Sequence, residues 1–227
     1  MIVTARNEAN RLGATLRALR EACPNAELWV ADDGSEDATA QVAEHEGARV
    51  VRTHKRLGKG GAATLAAEAV LREGDPIMLL ADADLGESAS KLGALVEAVS
   101  DVSAGPDAEI RRADLAIATF ATRAGGGFGI AVATSRWTIQ RATGRTMQAP
   151  MSGQRAMRAG VLGQFLPFAP GFGIETGMTI DALRSGLRVV EIELDLEHRA
   201  TGKSLRGFVH RARQARDALR AYASRRS

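Results

Sequence analysis

Short apolar runs alternate with segments of helical period along the first half of the chain, and this alternation restricts most strongly what the chain can fold into. Runs at residues 1–5, 28–31, 49–52, 77–81 and 115–120 have the length of strands. Between them apolar residues recur every three or four positions, as at Leu12, Leu16 and Leu19 and at Leu92, Leu95, Val96 and Val99. Strand, helix, strand at this spacing predicts an α/β layered fold, because parallel neighbours need a crossover connection and that crossover is right-handed. The run 77–81 contains no polar residue, as a strand covered on both faces requires. Asn7 is expected to cap the first helix, Gly47 to close the second, and an Ala-rich third helix to end near Gly74.

The second half reads differently. Gly125 to Gly129 is expected to form a glycine-rich loop and the stretch to Thr146 a helix, with a further helix around residues 174–184 stopping at Gly186. Residues 187–196 then read as a half-exposed strand, with Val189, Ile192, Leu194 and Leu196 on one side and Glu191, Glu193 and Asp195 on the other. The 227 residues favour one large domain over two complete ones.

The net charge of +3 hides an asymmetry. Residues 203–227 hold eight basic residues against Asp217 alone, a charge of +7, which leaves −4 on the rest. Leu205, Phe208, Val209, Ala212, Ala215 and Leu219 fall at roughly helical spacing within this tail. It therefore reads as a basic amphipathic helix that either packs on the body or lies on an anionic membrane. No nucleic-acid partner is expected, since aromatics make up only 4% and no recognition module accompanies the charge. A single cysteine, Cys23, excludes an intramolecular disulfide framework and suits a reducing compartment. No run approaches the roughly 18 apolar residues of a membrane span, and the start lacks a signal-peptide layout. The expected location is cytoplasmic, with peripheral contact at the inner membrane face through the tail; pairing as a homodimer is left open.

In an open parallel sheet, ligands bind beyond the carboxyl ends of the strands. There the chain is acidic twice, with Asp32 and Asp33 after the second run and Asp82 and Asp84 after the fourth. Two carboxylates one residue apart can face one hard cation, which takes its remaining oxygens from phosphates. Asp-Asp-Gly-Ser read alone is equally turn and cap chemistry. Asp82 and Asp84 abut the most buried strand and need a partner, and no nearby Arg or Lys in the sequence supplies one. Lys59 lies between glycines at the start of a helix, where backbone, helix dipole and ammonium all favour a phosphate. The order of residues is not that of a Walker A loop.

Seven motifs in order carry a resemblance: Ala-Arg-Asn-Glu at 5–8, Asp-Asp-Gly-Ser at 32–35, Gly-Lys-Gly at 58–60, Asp-Ala-Asp-Leu at 82–85, Ser-Gly-Gln-Arg-Ala at 152–156, Gly-Phe-Gly-Ile-Glu at 171–175 and His-Arg-Ala-Thr-Gly-Lys-Ser at 198–204. Together they resemble the family-two glycosyltransferases, especially the dolichyl-phosphate mannosyltransferase-like branch. The back half is also similar to the glucosyl-3-phosphoglycerate synthases, a retaining branch. The resemblance implies a GT-A type Rossmann-like layered α/β/α fold with a mostly parallel central sheet. Residues 1–122 would form a nucleotide-sugar-binding half, 123–204 an acceptor half and 205–227 the basic helix.

The same resemblance implies roles. Ala5, Arg6, Glu8, Asp32 and Asp33 would line the nucleotide pocket, with Lys59 near the base or diphosphate. Asp82 and Asp84 would form the D-x-D pair that holds Mg or Mn, with Asp84 preferred over Asp82 as the direct ligand, His198 a further metal or diphosphate ligand and Arg199 a phosphate partner. Ser152, Gln154 and Arg155 lie where relatives approach a substrate phosphate, although Arg155 alone also reads as a surface residue. A departing diphosphate needs a cation and basic groups, and an acceptor hydroxyl needs a carboxylate base. Glu175 is the candidate base, with a helix-start carboxylate as its plain reading; a phosphate acceptor would need none. Such an enzyme moves a sugar from a UDP-glucose or GDP-mannose type donor to a polyprenyl phosphate or small acceptor, with inversion expected over retention. Ala200 stands where the phosphoglycerate branch tends to carry a more polar residue. A sugar nucleotidyltransferase is the competing enzyme class, but such enzymes open with a glycine loop where this chain has Ala5 to Glu8. A degenerate, purely binding protein is the third reading, and the intact Asp82 and Asp84 argue against it.

Overall fold

A computed structural model describes residues 1–74, 77–100, 112–120, 129–197 and 205–225, without the side chains of 205–210. His198, Arg199, Ala200 and most of the expected glycine loop at 125–129 lie outside the described residues.

The strands are β1 (Ile2–Ala5), β2 (Trp29–Asp32), β3 (Arg49–Arg52), β4 (Ile77–Asp82), β5 (Leu115–Phe120), β6 (Arg155–Arg158) and β7 (Val189–Leu194). They form one sheet in the order β3-β2-β1-β4-β6-β5-β7. All neighbours are parallel except β6, which runs antiparallel to both β4 and β5. Every apolar run expected as a strand is one. The strand that sequence reasoning missed is β6, Arg-Ala-Met-Arg, which has neither an apolar run nor alternation to reveal it.

The helices are α1 (Ala9–Ala22), α2 (Thr39–His45), α3 (Lys59–Leu71), α4 (Gly93–Val99), α5 (Gly129–Thr143), α6 (Ala159–Leu162), α7 (Ile174–Arg184) and α8 (Leu205–Ala223). Two apolar cores cover the two faces of the sheet. On one, Leu12, Leu16 and Leu19 of α1 and Leu92, Leu95 and Val99 meet Val3, Leu79 and Ala81. On the other, Ala62, Ala66 and Val70 of α3, Ile139 of α5 and Ile174 and Met178 of α7 meet Ile2, Met78 and Leu80. Successive residues of β4 thus enter opposite cores, which is why its sequence is continuously apolar. Each fully buried leucine contributes on the order of 2 kcal/mol of transfer free energy.

Three expectations are corrected. Asn7 does not cap α1: it adopts φ 55, and its side-chain oxygen accepts the Glu36 N–H at 2.9 Å, tying the first loop to the second. Asn tolerates this left-handed conformation better than most residues. On β7 the period of two puts Val189 with the second core, opposite Val190, Ile192 and Leu194. Among the tail residues whose side chains are described, the buried ones are Ala215, Ala218 and Ala221, while Leu219 is 44% exposed. The cause is the surface beneath: a Cβ on Gly173 would stand 3.1 Å from Ala221 Cβ, and one on Gly177 3.0 Å from the Arg225 guanidinium carbon. Small residues face glycines there, so α8 seats closely on the body. The reading of the tail as a helix packed on the body is the one observed.

Candidate active site

The parallel register aligns the carboxyl ends of β1, β2, β3 and β4 along one edge, pairing Ala5 with Asp32, Asp32 with Arg52 and Thr4 with Asp82. Because β6 is reversed, it delivers its amino end to that same edge: Arg155 pairs with Leu80, and Ser152, Gly153 and Gln154 arrive just before it. Antiparallel insertion therefore brings the fifth motif to the first four.

The first two loops are knitted together. The Asn7 N–H donates to Ser35 Oγ at 2.9 Å and the Glu8 N–H to Thr39 Oγ1 at 2.9 Å. Asp32 is fully buried; its carboxylate accepts the Ser35 N–H at 2.9 Å and stands 3.3 Å from Arg52 Nε. Asp33 accepts the Leu57 and Gly58 N–H groups at 2.7 and 2.9 Å, fixing the basic loop that opens α3. Ala5 is buried, and Arg6 is half-buried with its Nε lacking a hydrogen-bond partner among the described residues. These loops bring all the expected nucleotide-pocket residues to one rim.

At the centre stands an ion triad. Lys59 Nζ lies 2.5 Å from Asp82 Oδ1 and 2.7 Å from Glu175 Oε1. The partner that Asp82 needs, which no residue near it in sequence supplies, is Lys59 at the start of α3, remote in sequence and close in space. Asp82 also accepts from Gln154 Nε2 at 2.9 Å and from Thr4 Oγ1 at 3.2 Å. Burial alone would raise the Asp82 pKa, but the Lys59 charge and these hydrogen bonds outweigh it and hold the carboxyl below its ordinary value. For Lys59 burial opposes the charge, yet the fields of Asp82 and then Glu175 raise its pKa above that of an ordinary lysine. Gly153 makes the approach possible, since a Cβ there would sit 2.5 Å from Lys59 Nζ and 2.6 Å from Asp82 Oδ2.

Glu175 enters from the first turn of α7 and is 4% exposed; its second oxygen has no hydrogen-bond partner among the described residues. Arg155 is not a surface residue: it is 1% exposed, and its guanidinium donates to the carbonyls of Ser152 at 2.8 Å and Pro150 at 3.4 Å and to Thr179 Oγ1 at 2.8 Å. Burial pulls its pKa down to about 10, opposed by the carboxylates of Glu175, Glu191 and Asp82, so it stays charged at neutral pH. Ser152 Oγ donates to Gln154 Oε1 at 3.0 Å, completing a line from Ser152 through Gln154 to Asp82. Asp84 is half-buried on the turn two residues beyond Asp82, where its carbonyl accepts from Arg11 at 3.3 Å. Among the described residues no three His, Cys, Asp or Glu side chains converge as a metal cluster. Thr4 and Thr179 carried no sequence signal, because each acts through a hydroxyl inside an otherwise ordinary strand or helix.

Comparison with known proteins bears on this site. Residues 1–145 match the family model described as glycosyl transferase family 2. Over 219 residues the chain is 30% identical to the undecaprenyl-phosphate mannosyltransferase of Micrococcus luteus, covering 89% of this chain and 85% of that one. Among solved structures, glucosyl-3-phosphoglycerate synthase from Mycobacterium tuberculosis with phosphoglyceric acid superposes with a TM-score of 0.76 at 24% identity, covering 99% of this chain and 78% of that one. The same enzyme with Mn2+, uridine diphosphate and glucosyl-3-phosphoglycerate gives 0.73 at 26% identity, over 98% and 78% of the two chains. The layered sheet is thus the GT-A fold, and the glycosyltransferase reading displaces the nucleotidyltransferase one. With motifs, sheet and match all in agreement, the chain belongs to glycosyl transferase family 2 and is a glycosyltransferase.

Proposed function

We propose that this enzyme transfers a hexosyl group from a nucleotide-sugar donor of the UDP-glucose or GDP-mannose type to a polyprenyl phosphate, with Mg or Mn beside the donor diphosphate. The observation that carries the proposal is the Asp82–Lys59–Glu175 triad at the carboxyl edge of the sheet, where an ammonium stands between two carboxylates. The donor set suits a divalent cation: it offers a carboxylate with one imidazole, few enough ligands that the ion completes its shell from phosphates. Asp84 and His198 would hold the ion, which when bound neutralises the leaving diphosphate. Asp82, already bonded to Lys59, Gln154 and Thr4, orients the turn that carries Asp84. Arg6, Lys59 and Arg199 would supply positive charge to the phosphates. Asp32, Asp33 and Glu8, with Ala5, would shape the base and ribose pocket through the loops they tie.

A phosphate acceptor follows from the state of Glu175. A hydroxyl acceptor needs a carboxylate positioned to take its proton, whereas Glu175 is buried and engaged by Lys59. A phosphate oxygen is already ionised at neutral pH, so Glu175 serves as the counter-ion that positions Lys59. The Micrococcus luteus relative, named for a polyprenyl phosphate acceptor, supports the lipid form, and the basic outer face of α8 provides peripheral contact at the membrane. Phosphoglycerate is the second reading, supported by the likeness to the synthase solved with its product.

Incubation with radiolabelled UDP-glucose or GDP-mannose, Mn2+ and either detergent-dispersed short-chain polyprenyl phosphate or 3-phosphoglycerate tests the proposal. Label is expected in the lipid product, and in neither product for Asp84→Ala. Label in phosphoglycerate alone would move the acceptor to the second reading, and undiminished transfer by Asp84→Ala would remove the metal role.

A further inference from the structure

The helix pair α5 and α8 shows an outer face that the catalytic reading leaves unused. Trp137 is 53% exposed and meets Tyr222 edge to face, with ring centroids 5.9 Å apart. The Arg184 guanidinium donates to the carbonyls of both Ala142 and Arg225. Position 137 thus neighbours 222, and 142 neighbours 225, so the two helices run side by side in the same direction. Ile130, 67% exposed, lies two turns before Trp137 on the same face of α5. Leu219 lies one turn before Tyr222 on α8 and therefore falls beside the stretch between Ile130 and Trp137. Three large apolar side chains accordingly stand on one exposed ridge.

The charge around the ridge has a single sign. Arg141, Arg213, Arg216 and Arg220 are exposed on these helices. Neither helix carries an acid except Asp217, whose carboxylate accepts the Phe172 N–H at 3.2 Å and pairs with Arg216 at 3.1 Å. The rest of the chain is acidic on balance, so the positive charge is segregated to this side.

We infer that the outer faces of α5 and α8 together form a docking surface for an anionic lipid bilayer, with Ile130, Trp137 and Leu219 entering the interface and the arginines meeting the headgroups. The inference rests on the lipid-phosphate reading of the acceptor and deepens it by naming the surface that presents the site to the membrane. Apolar tips ringed by arginines match the two attractions of an interfacial anchor, burial and headgroup charge. A second copy docking on this face would set arginine against arginine, which opposes association. A nucleic acid would leave Ile130 and Leu219 without a use. The ridge is also linked to the site: the Gly171–Gly173 turn that Asp217 holds leads directly into Glu175, and a Cβ on Gly58 would stand 3.3 Å from Gly171 Cα.

Flotation of the full chain with phosphatidylglycerol-containing vesicles, with phosphatidylcholine vesicles and without lipid tests the proposal. Trp29 is already buried, so any lipid-induced blue shift or quenching by brominated lipid reports on Trp137. Expected are binding to the anionic vesicles only and a Trp137 response. Arg141→Gln/Arg213→Gln/Arg220→Gln should weaken partitioning on the order of a hundredfold, at roughly fivefold per arginine. Ile130→Gln/Trp137→Gln should weaken it roughly tenfold with the fold retained by circular dichroism. Equal binding to neutral vesicles, a silent Trp137, or a dimer dissolved by Trp137→Gln would each overturn it. The detergent-dispersed acceptor separates the two readings. Transfer to it without vesicle binding refutes the ridge alone, and vesicle binding with transfer only to 3-phosphoglycerate refutes the acceptor alone.

Discussion

Lys59 ties three pieces of chain that are far apart in sequence: its own helix start, the tip of β4 and the start of α7. Its removal leaves Glu175, 4% exposed, without its counter-ion. Breaking a buried pair from one side costs about 3–5 kcal/mol, and because the Asp82 side chain is 32% exposed the lower end applies, about 3 kcal/mol for Lys59→Met in chemical denaturation. Gly153→Ala should disturb the same triad without removing any charge, since its methyl group would occupy the contact between Lys59 and Asp82. The expected result is a large fall in kcat with the fold retained; wild-type kcat would show that the triad tolerates displacement. The pH dependence follows from Asp82, whose folded pKa lies below its unfolded value. Its contribution to stability is complete above the ordinary carboxylate value of about 4 and is lost below it, as pH falls through the lowered value of the folded state. Melting of Asp82→Asn should therefore fall less steeply than wild type on acidification below about pH 4, and parallel curves would deny the pairing its role.

At the scale of elements, what the sequence reveals depends on whether a segment's partner is local. Strands β1, β2, β4 and β5 announce themselves because each is largely buried and so mostly apolar, while the edge strand β3 shows only its Val50–Val51 centre between exposed arginines. Strand β6 does not, because Arg155 is buried by hydrogen bonds to Ser152, Pro150 and Thr179 rather than by apolar character. The site shows the same divide. Asp82, Lys59, Glu175 and Gln154 were legible as motifs, but their mutual pairing was not, since it depends on a reversed strand carrying residues 152–154 to the carboxyl edge. The tail's helical period was legible as well, whereas its buried face followed from glycines on the body. Asp217 belongs to this scale: it is the acid of α8, and it anchors the turn ahead of Glu175. Asp217→Ala should cost about 1.5 kcal/mol, as for a hydrogen bond to a charged acceptor. It should also lower kcat more than it raises KM for the donor, because the turn it releases carries Glu175; an unchanged kcat would reduce Asp217 to a purely structural anchor.

For the whole molecule, the order β3-β2-β1-β4-β6-β5-β7 decides how it unfolds. The division of the sequence at residue 122 does not coincide with a division of the sheet. Strand β6, from the later part of the chain, lies between β4 and β5, both from the earlier part, and β7 completes the edge beyond β5. Removing either part would strip a strand from the middle of the other's sheet and cut the bond between Lys59 and Glu175. The two tryptophans report on the two parts separately. Trp29 in β2 is buried beneath Arg49, whose guanidinium lies 4.0 Å from its ring centroid, while Trp137 sits on α5. Urea unfolding of Trp137→Phe and Trp29→Phe, each leaving one reporter, should give transitions whose slopes agree and whose midpoints, corrected for each variant's stability by circular dichroism, coincide. The interleaved sheet allows no other outcome if it is the cooperative unit. Loss of the Trp137 signal at a lower urea concentration than that of Trp29 would show instead that the later part of the chain opens by itself, and that the reversed strand is held by β4 without depending on β5.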